Sequence, residues 1–305
     1  QPDDIGRLYF ADLVGAGLGC AVVVPLLWTI SPPQVVHLAG ALIVLGGAMA
    51  AHRWRGIRVP AAILLVALSA GVAVPRLLPV AVTDLDKTMA AVAARGIEPL
   101  FSRWNPVFRI DVIPSPVDSN TLVLVHDGMW GAIMHRFDGN RESLRFFDND
   151  VRLLPFRLLP PDPTVAIVGA AGGHEVLASW YYGAKHVTGI ELNPVTVSLL
   201  PTHFADFTGH LAENPRITLV NAEARSFLDR STDRFDLVWM VAPDSYAAMN
   251  AATSGAFVLS ESYLYTAEMV EVAMSRLTDD GILCAQFGEL AFADRPLRTA
   301  RYLAT

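Results

Sequence analysis

Three carboxylates stand where a chain of alternating strands and helices does its chemistry. Glu191 closes "HVTGIEL", Glu223 follows "ITLVNA", and Asp244 follows "FDLVWMVAP". In a doubly wound α/β domain, ligands are held outside the carboxyl ends of the strands. Upstream, "VGAAGGHE" joins a buried strand to a helix, and Gly169, Gly172 and Gly173 are the positions where backbone can approach a ligand closely. Glu191 lies 18 residues beyond Gly173, a spacing at which a carboxylate accepts both hydroxyls of a ribose. Its bland reading is a helix N-terminal acid ahead of Asn193 and Pro194. Glu223 is placed to receive an adenine amino group, or is a solvated acid at the start of "ARSFL". Taken together, three ligand-type positions on successive strand ends say more than any one alone.

The elements that position these residues follow from patterning. From Pro163, strands "TVAIVGAA", "HVTGIEL", "ITLVNAEA", "FDLVWMVAP" and "GILCAQFGE" alternate with helical stretches, one of them broken near Pro201 and the last closed by a "DDG" turn. Such alternation implies a parallel sheet with right-handed crossovers. Residues 158–305 therefore read as a Rossmann-like, methyltransferase-type domain. Its two usual closing antiparallel strands are not found before Thr305, so the domain is expected to be C-terminally incomplete. Ahead of it, residues 83–157 read as a linking amphipathic helix ("TDLDKTMAAVAARG") and a small β subdomain with Asp-Gly and Gly-Asn turns.

Residues 1–82 are different. Three apolar runs, roughly Leu8 to Ile30, Val35 to Ala51 and Val59 to Val82, each approach the ~20 residues needed to cross a hydrocarbon core. Gly15, Gly17 and Gly19 in the first, and Gly40, Gly46 and Gly47 in the second, are spaced to let helices approach closely. The competing reading is a very hydrophobic soluble bundle. The chain is 52% hydrophobic and only 17% charged, against about 25% in average soluble chains. Its net charge of −7 argues against a nucleic-acid footprint. Cys20 and Cys284 offer neither a metal spacing nor a disulfide framework. Arg53, Arg55 and Arg58 should face the cytoplasm. With three spans this puts the α/β domain outside, away from any cytosolic nucleoside; either one run does not span, or this loop breaks the rule, or the domain does not use a cytosolic nucleoside.

On these motifs, the region from about Ser102 to Glu289 resembles the spermidine synthases, or polyamine aminopropyltransferases, of the class I S-adenosylmethionine-dependent methyltransferase fold. "TVAIVGAAGGHEVL" looks like their GGGDGG segment, "VTGIELNP" like V-E-I-D-P, and "LVNAEARSFL" like G-D-G-x-x-F-L. "LSESYLYTAEMVEVAMSRLTDDGILCAQ" is similar to their L-F-S-x-x-F-Y stretch, and "SRWNPVFRIDV" and "LVLVHDG" to their N-terminal β subdomain. The membrane-anchored branch also fits "LYFADLVGAGLG". The resemblance implies that Glu191 holds the ribose and Glu223 the adenine, with Asp127, Tyr246 and Gln286 near the substrate cleft.

Two departures matter. The acid of GGGDGG falls on Gly172, and the first aspartate of D-S-S-D-P becomes Val241, leaving Asp244 as the best remaining base. A missing base typically costs about 10²–10⁴-fold in rate. His174 and Tyr246 are other candidates. The implied function is aminopropyl transfer from decarboxylated S-adenosylmethionine to a small amine, without a metal. Alternatives are methyl transfer from S-adenosylmethionine and a degenerate nucleoside-binding scaffold in a membrane complex. An NAD dehydrogenase is disfavoured by Glu223 and by the absence of G-x-G-x-x-G. Expected partners are membrane lipid, a small-molecule amine, and a second copy or other subunits of a membrane complex, with no nucleic acid.

Overall fold

A computed structural model describes residues 2–51, 53–77, 88–241 and 264–286. The chain divides into two units, Gln1–Thr83 with Trp104–Pro106, and Asp84–Arg103 with Val107–Thr305.

The first unit contains helices α1 (Pro2–Thr29), α2 (Pro32–Ala50) and α3 (Arg58–Ala73). The stretches Ile5–Thr29, Pro32–Ala50 and Arg55–Ala73 are long and apolar enough to cross a membrane, and almost none of their surface is buried within the chain. α2 and α3 pack together through small residues. A Cβ on Gly71 would lie 2.5 Å from the His37 ring, and one on Gly40 would touch Leu68. Between these helices Gln34 works twice: its Oε1 accepts from the Ser31 N–H at the start of α2, and its Nε2 donates to the Val72 carbonyl at 2.7 Å. The glycines of α1 are different. Gly15, Gly17, Gly19, and likewise Gly46 and Gly47 on α2, meet nothing within 4 Å, so they serve no packing inside the described chain.

The second unit opens with α4 (Thr88–Ala94), the C-terminal part of the expected linking helix, closed by Gly96 at φ 66°. Next comes an antiparallel sheet of β1 (Phe101–Arg103), β2 (Ile110–Pro114), β3 (Thr121–His126) and β4 (Met129–His135), in that order. Asp127 and Gly128 turn β3 into β4 with both φ values positive, as a two-residue hairpin loop requires. Gly131 is the extra residue of a bulge, and the His126 ring fills the place where its Cβ would stand. Two 3-10 segments, Arg141–Asn149 and Val151–Arg157, lead on to the parallel sheet.

The parallel sheet consists of β5 (Thr164–Val168), β6 (His186–Glu191), β7 (Ile217–Asn221), β8 (Phe235–Val241) and β9 (Leu277–Gln286), ordered β7-β6-β5-β8-β9. Every pairing in it is parallel. The order reverses between β6 and β8 about β5, which is the switch point that opens a crevice in doubly wound sheets. Helices α5 (His174–Tyr181), α6 (Pro194–Ser198), α7 (Ala224–Arg230) and α8 (Ala267–Ser275) accompany it. Two apolar layers cover its faces. One holds Val165, Ile167, Leu237 and Trp239 against Val176, Leu177 and Phe147; the other holds Ala166, Val168, Val238 and Met240 against Leu228, Met269 and Ala273. Alternate residues of one strand enter opposite layers, as the period-2 geometry dictates.

One expectation needs correction. The "DDG" turn lies inside β9, where Phe235 pairs with Leu277 but Leu237 already pairs with Ile282. Asp279, Asp280 and Gly281 therefore form a bulge, and Gly281 is required because a Cβ there would lie 2.9 Å from the Phe235 carbonyl oxygen. The break near Pro201 is a wide π-type turn, Leu199–His203, since proline supplies no N–H to an α-ladder.

Gly209 stands at φ 60°, and a Cβ there would lie 2.6 Å from the Phe137 carbonyl oxygen. Gly209→Ala is expected to combine left-handed backbone strain with overpacking, at about 1–3 kcal/mol. Gly139, at φ 87° in open space, carries only the strain. Thermal unfolding should show the larger loss for Gly209→Ala; equal losses would mean the close carbonyl has no energetic weight.

Candidate functional site

The carboxyl ends of β7, β6, β5 and β8 form one rim, and the loop 169–173 crosses its middle. Gly169 and Gly173 hold φ values of 87° and 80°, and Ala171, a non-glycine, holds 37°. The loop's amides are nearly all engaged. Gly169 and Ala170 donate to the Ile190 carbonyl, and Gly173 donates to that of Ala170. Ala171 donates to Glu191 Oε2 at 3.1 Å. Only the Gly172 N–H has no hydrogen bond among the described residues. A cradle for a pyrophosphate needs several inward amides, so this loop suits an uncharged part of a ligand better than a dinucleotide.

Glu191 is the hub of the rim. While Oε2 holds the loop, Oε1 accepts from the Asn193 N–H at 2.9 Å, where α6 begins. Burial pushes its pKa up, and the amides of Asn193 and Ala171 oppose that shift. An ionised carboxylate offers about four lone-pair sites; Ala171 and Asn193 take two, and the Leu192 amide also acts on it. Asn193 caps α6 through Val195 N–H and donates to the Phe108 carbonyl, linking the rim to the segment just before β2.

Glu223 caps α7: its two oxygens accept from the Arg225 and Ser226 amides at 2.9 and 2.8 Å. These bonds outweigh its partial desolvation and lower its pKa. Asp127 accepts from the Arg109 amide at 2.8 Å, which pins the β3–β4 turn to β2. Gln286, at the end of β9, donates to the Arg152 carbonyl at 3.0 Å and pairs in register with Val241. Val241 packs its side chain against the apolar layer of Trp239. Gly172 is required by packing, since a Cβ would lie 2.4 Å from the Ile133 carbonyl oxygen of β4. Any side chain there, an acid included, would displace that strand. Asp244 and Tyr246 lie outside the described residues.

A polar chain stands at the head of α5, and sequence reasoning saw only His174 in it. Arg152 Nε and Nη2 hold the Asp150 carboxylate at 3.0 and 2.5 Å. Arg152 Nη2 reaches His174 Nε2 at 2.6 Å, and His174 Nδ1 lies 2.7 Å from His135 Nε2. A guanidinium has no acceptor, so His174 Nε2 must accept and its proton is on Nδ1. His135 Nε2 then accepts, and its proton is on Nδ1. Burial pushes His174 down to about 3 and His135 to about 4, so both rings are neutral at neutral pH. Burial alone would raise Asp150, but bonds to Arg152 hold it at about 2. Glu175 is buried and pushed up to about 7, with Arg152 Nη1 at 3.5 Å opposing the shift. These residues come from β4, the Val151–Arg157 segment with its cap, and α5, so no spacing in the sequence announces them. Among the described residues, no cluster of three or more His, Cys, Asp or Glu has metal-site geometry.

No family model matches the chain. Among curated proteins it is similar to polyamine aminopropyltransferase 1 of Streptomyces coelicolor, 28% identical over 157 residues, which cover 48% of this chain and 27% of that protein. The chain thus spans about a quarter of that relative's length. Among solved structures it is similar to a spermidine synthase in complex with the transition-state analogue AdoDATO, at TM-score 0.48 and 16% identity over 68% of this chain and 66% of the other. It is also similar to the spermidine synthase of Thermotoga maritima, at TM-score 0.43 and 16% identity over 67% and 59%. The resemblance carried by the motifs agrees with the description of this curated relative over the matched residues.

Glu175 gives a pH test of the polar chain. Its folded pKa of about 7 lies above the ordinary 4.5, so the folded chain binds the proton more tightly than the unfolded one. Its favourable contribution is complete below pH 4.5 and is lost as pH rises through 7. Glu175→Gln should therefore gain on the parent in apparent melting temperature between pH 5 and pH 8, by an amount on the order of 3 kcal/mol. A constant difference across that range would show that Glu175 titrates normally.

Proposed function

We propose that the protein is a membrane-bound transferase that binds an adenosyl sulfonium nucleoside across the rim and transfers an aminopropyl group to a small amine. One observation carries the reading: Glu191 ends the strand next to the switch point, its carboxylate held by backbone amides of the two adjoining turns. A ribose diol is the neutral, two-donor partner that such a carboxylate takes. With the ribose at β6, adenine belongs over β7 beside Glu223, and the sulfonium tail over β5 and β8. The loop's shortage of unengaged amides supports a nucleoside without phosphates. The name of the curated relative supports the aminopropyl group, and the motif resemblance implies decarboxylated S-adenosylmethionine as its donor. The amine acceptor's base would be Asp244.

Two observations favour a second reading, methyl transfer from S-adenosylmethionine. The acid that the resemblance expects at Gly172 has no room, and the one expected at Val241 is an apolar side chain within a packed layer. Neither position offers a charge to an ammonium group.

Glu191→Ala should weaken binding of methylthioadenosine at least tenfold by isothermal titration, as expected for a buried charged hydrogen-bonding partner worth about 1.5–3 kcal/mol. Unchanged affinity in a folded variant would remove Glu191 from the site. Turnover of decarboxylated S-adenosylmethionine with putrescine or spermidine between pH 7 and 10 separates the readings. No turnover in a preparation that binds nucleoside would end the aminopropyl assignment.

Membrane insertion rests on the three long apolar helices. The expressed chain should stay with the membrane fraction and come into solution only with detergent. Recovery in the soluble fraction of a detergent-free lysate would overturn the assignment.

A further inference from the structure

Single exposed apolar side chains are normal on a folded surface, and only their clustering carries information. Of the eight large apolar side chains exposed on the described part of the second unit, four fall between residues 146 and 158: Phe146, Val151, Leu154 and Leu158. Val151 is 87% exposed and Leu158 71%.

Their placement follows from the 3-10 segment Val151–Arg157. Side chains at i and i+3 eclipse in such a helix, so Val151, Leu154 and Arg157 form one outward stripe, with Leu158 at its end. The segment cannot roll over to hide them. Leu153 and Pro155 fill its inner side, and Asp150 caps it through the Arg152 amide. The Arg152 carbonyl accepts from Gln286 at 3.0 Å, and the Arg152 side chain is committed to Asp150 and His174.

Charge and size point to the occupant. Residues 141–158 carry four arginines and three acids, in a chain whose net charge is −7. Glu142 pairs with Arg145 and Asp150 with Arg152, whereas Arg157 has no ion pair among the described residues. An apolar stripe ending in an arginine is the pattern of a segment that lies in a lipid headgroup layer. Four side chains fall well short of the roughly 20–30 residues a side of a standard protein interface. Lipid is also close at hand once α1, α2 and α3 span a bilayer. Residues 74–87 join α3 to α4 and extend at most about 50 Å, so the second unit stays near the bilayer. A tethered partner needs little affinity of its own.

We propose that the stripe of Val151, Leu154 and Leu158, with Arg157, docks the second unit onto the surface of an anionic bilayer. This rests on membrane insertion of the three helices and concerns a lipid contact made by the second unit itself. Because Arg152 joins the same segment to the head of α5, docking holds the rim in a fixed orientation to the lipid surface.

The test is spin-label accessibility in the full chain, reconstituted in vesicles of phosphatidylcholine and phosphatidylglycerol in equal parts. Oxygen concentrates in lipid and a nickel chelate stays in water, so the ratio of their collision rates with a label reports lipid contact. One label goes on Cys20 in the Cys284→Ala chain. The others go on Leu154→Cys and Val117→Cys in chains that also carry Cys20→Ala and Cys284→Ala. Cys20 is exposed on α1 and reports membrane insertion, while Val117 is exposed between β2 and β3, away from the stripe. The oxygen-to-nickel ratio at Leu154 should exceed that at Val117 by about threefold or more. Arg157→Glu, or vesicles of phosphatidylcholine alone, should bring it down toward the Val117 value.

Lipid contact at Cys20 with water exposure at Leu154 overturns the docking and leaves insertion standing. So does a Leu154 label shielded from both reagents, which marks a second copy or another stretch of the chain as the cover. A Leu154 ratio unmoved by Arg157→Glu and by the loss of phosphatidylglycerol overturns the choice of an anionic surface. Water exposure at Cys20 as well as Leu154 overturns membrane insertion and the docking together.

Discussion

Glu191 holds the rim together. The loop 169–173 has little reason of its own to adopt its shape, since Ala171 sits at a positive φ that costs a non-glycine residue. The carboxylate compensates by accepting the Ala171 amide with one oxygen and the Asn193 amide with the other. One side chain thereby fixes the turn after β5 and the turn after β6, on either side of the switch point. The backbone carbonyl of Glu191 extends the brace to the third strand by accepting from Ala222 N–H and the Asn221 side chain. Three consecutive strand ends are indexed to one residue. Any ligand contact made there inherits that rigidity, which is what a preorganised site needs.

The same arrangement explains what was legible in the sequence. Strands β5 to β8 show up as apolar runs because a parallel sheet is buried on both faces and its strands need no polar alternation. Their order, and Glu191 at a strand end, follow from connection rules that act through local sequence. The glycine-rich loop was visible, but the reason for each glycine was not. Gly172 reads as a position for ligand approach, and its actual constraint is the Ile133 carbonyl from a strand some forty residues earlier. The bulge at Asp279–Gly281 was hidden for a similar reason: "DDG" has the chemistry of a turn, and only the register with β8 turns it into an insertion within a strand. Glu223 carries both an N-cap and a strand-end position, and in the structure its oxygens serve the cap.

The polar chain was the least legible part because nothing local requires it. No motif or spacing in the sequence singles out His135, Asp150, Arg152 or Glu175. They acquire character when β4, the Val151–Arg157 segment and α5 converge and remove most of the water. In that setting a neutral imidazole is cheaper than a charged one, so both histidines give up their protons, and the guanidinium sets the direction in which the remaining two point. Direction is the useful outcome. A pair of neutral imidazoles alone can run either way, whereas one anchored on an arginine runs only toward a donor at its far end.

Packing bears equally on Gly172 and Val241, the two rim positions where the motif resemblance expects acids. With carboxylates at both positions, the rim would attract ammonium groups and reject a carboxylate tail through like-charge repulsion. Here one position is closed by the Ile133 carbonyl and the other is absorbed into the apolar layer of Trp239. Restoring either acid alone would be costly: at Gly172 it requires moving β4, and at Val241 it buries a charge without a partner. Packing therefore keeps both positions free of an acid. Both rim positions are thus closed to an acid by packing, while the carboxylate that indexes the strand ends keeps its place.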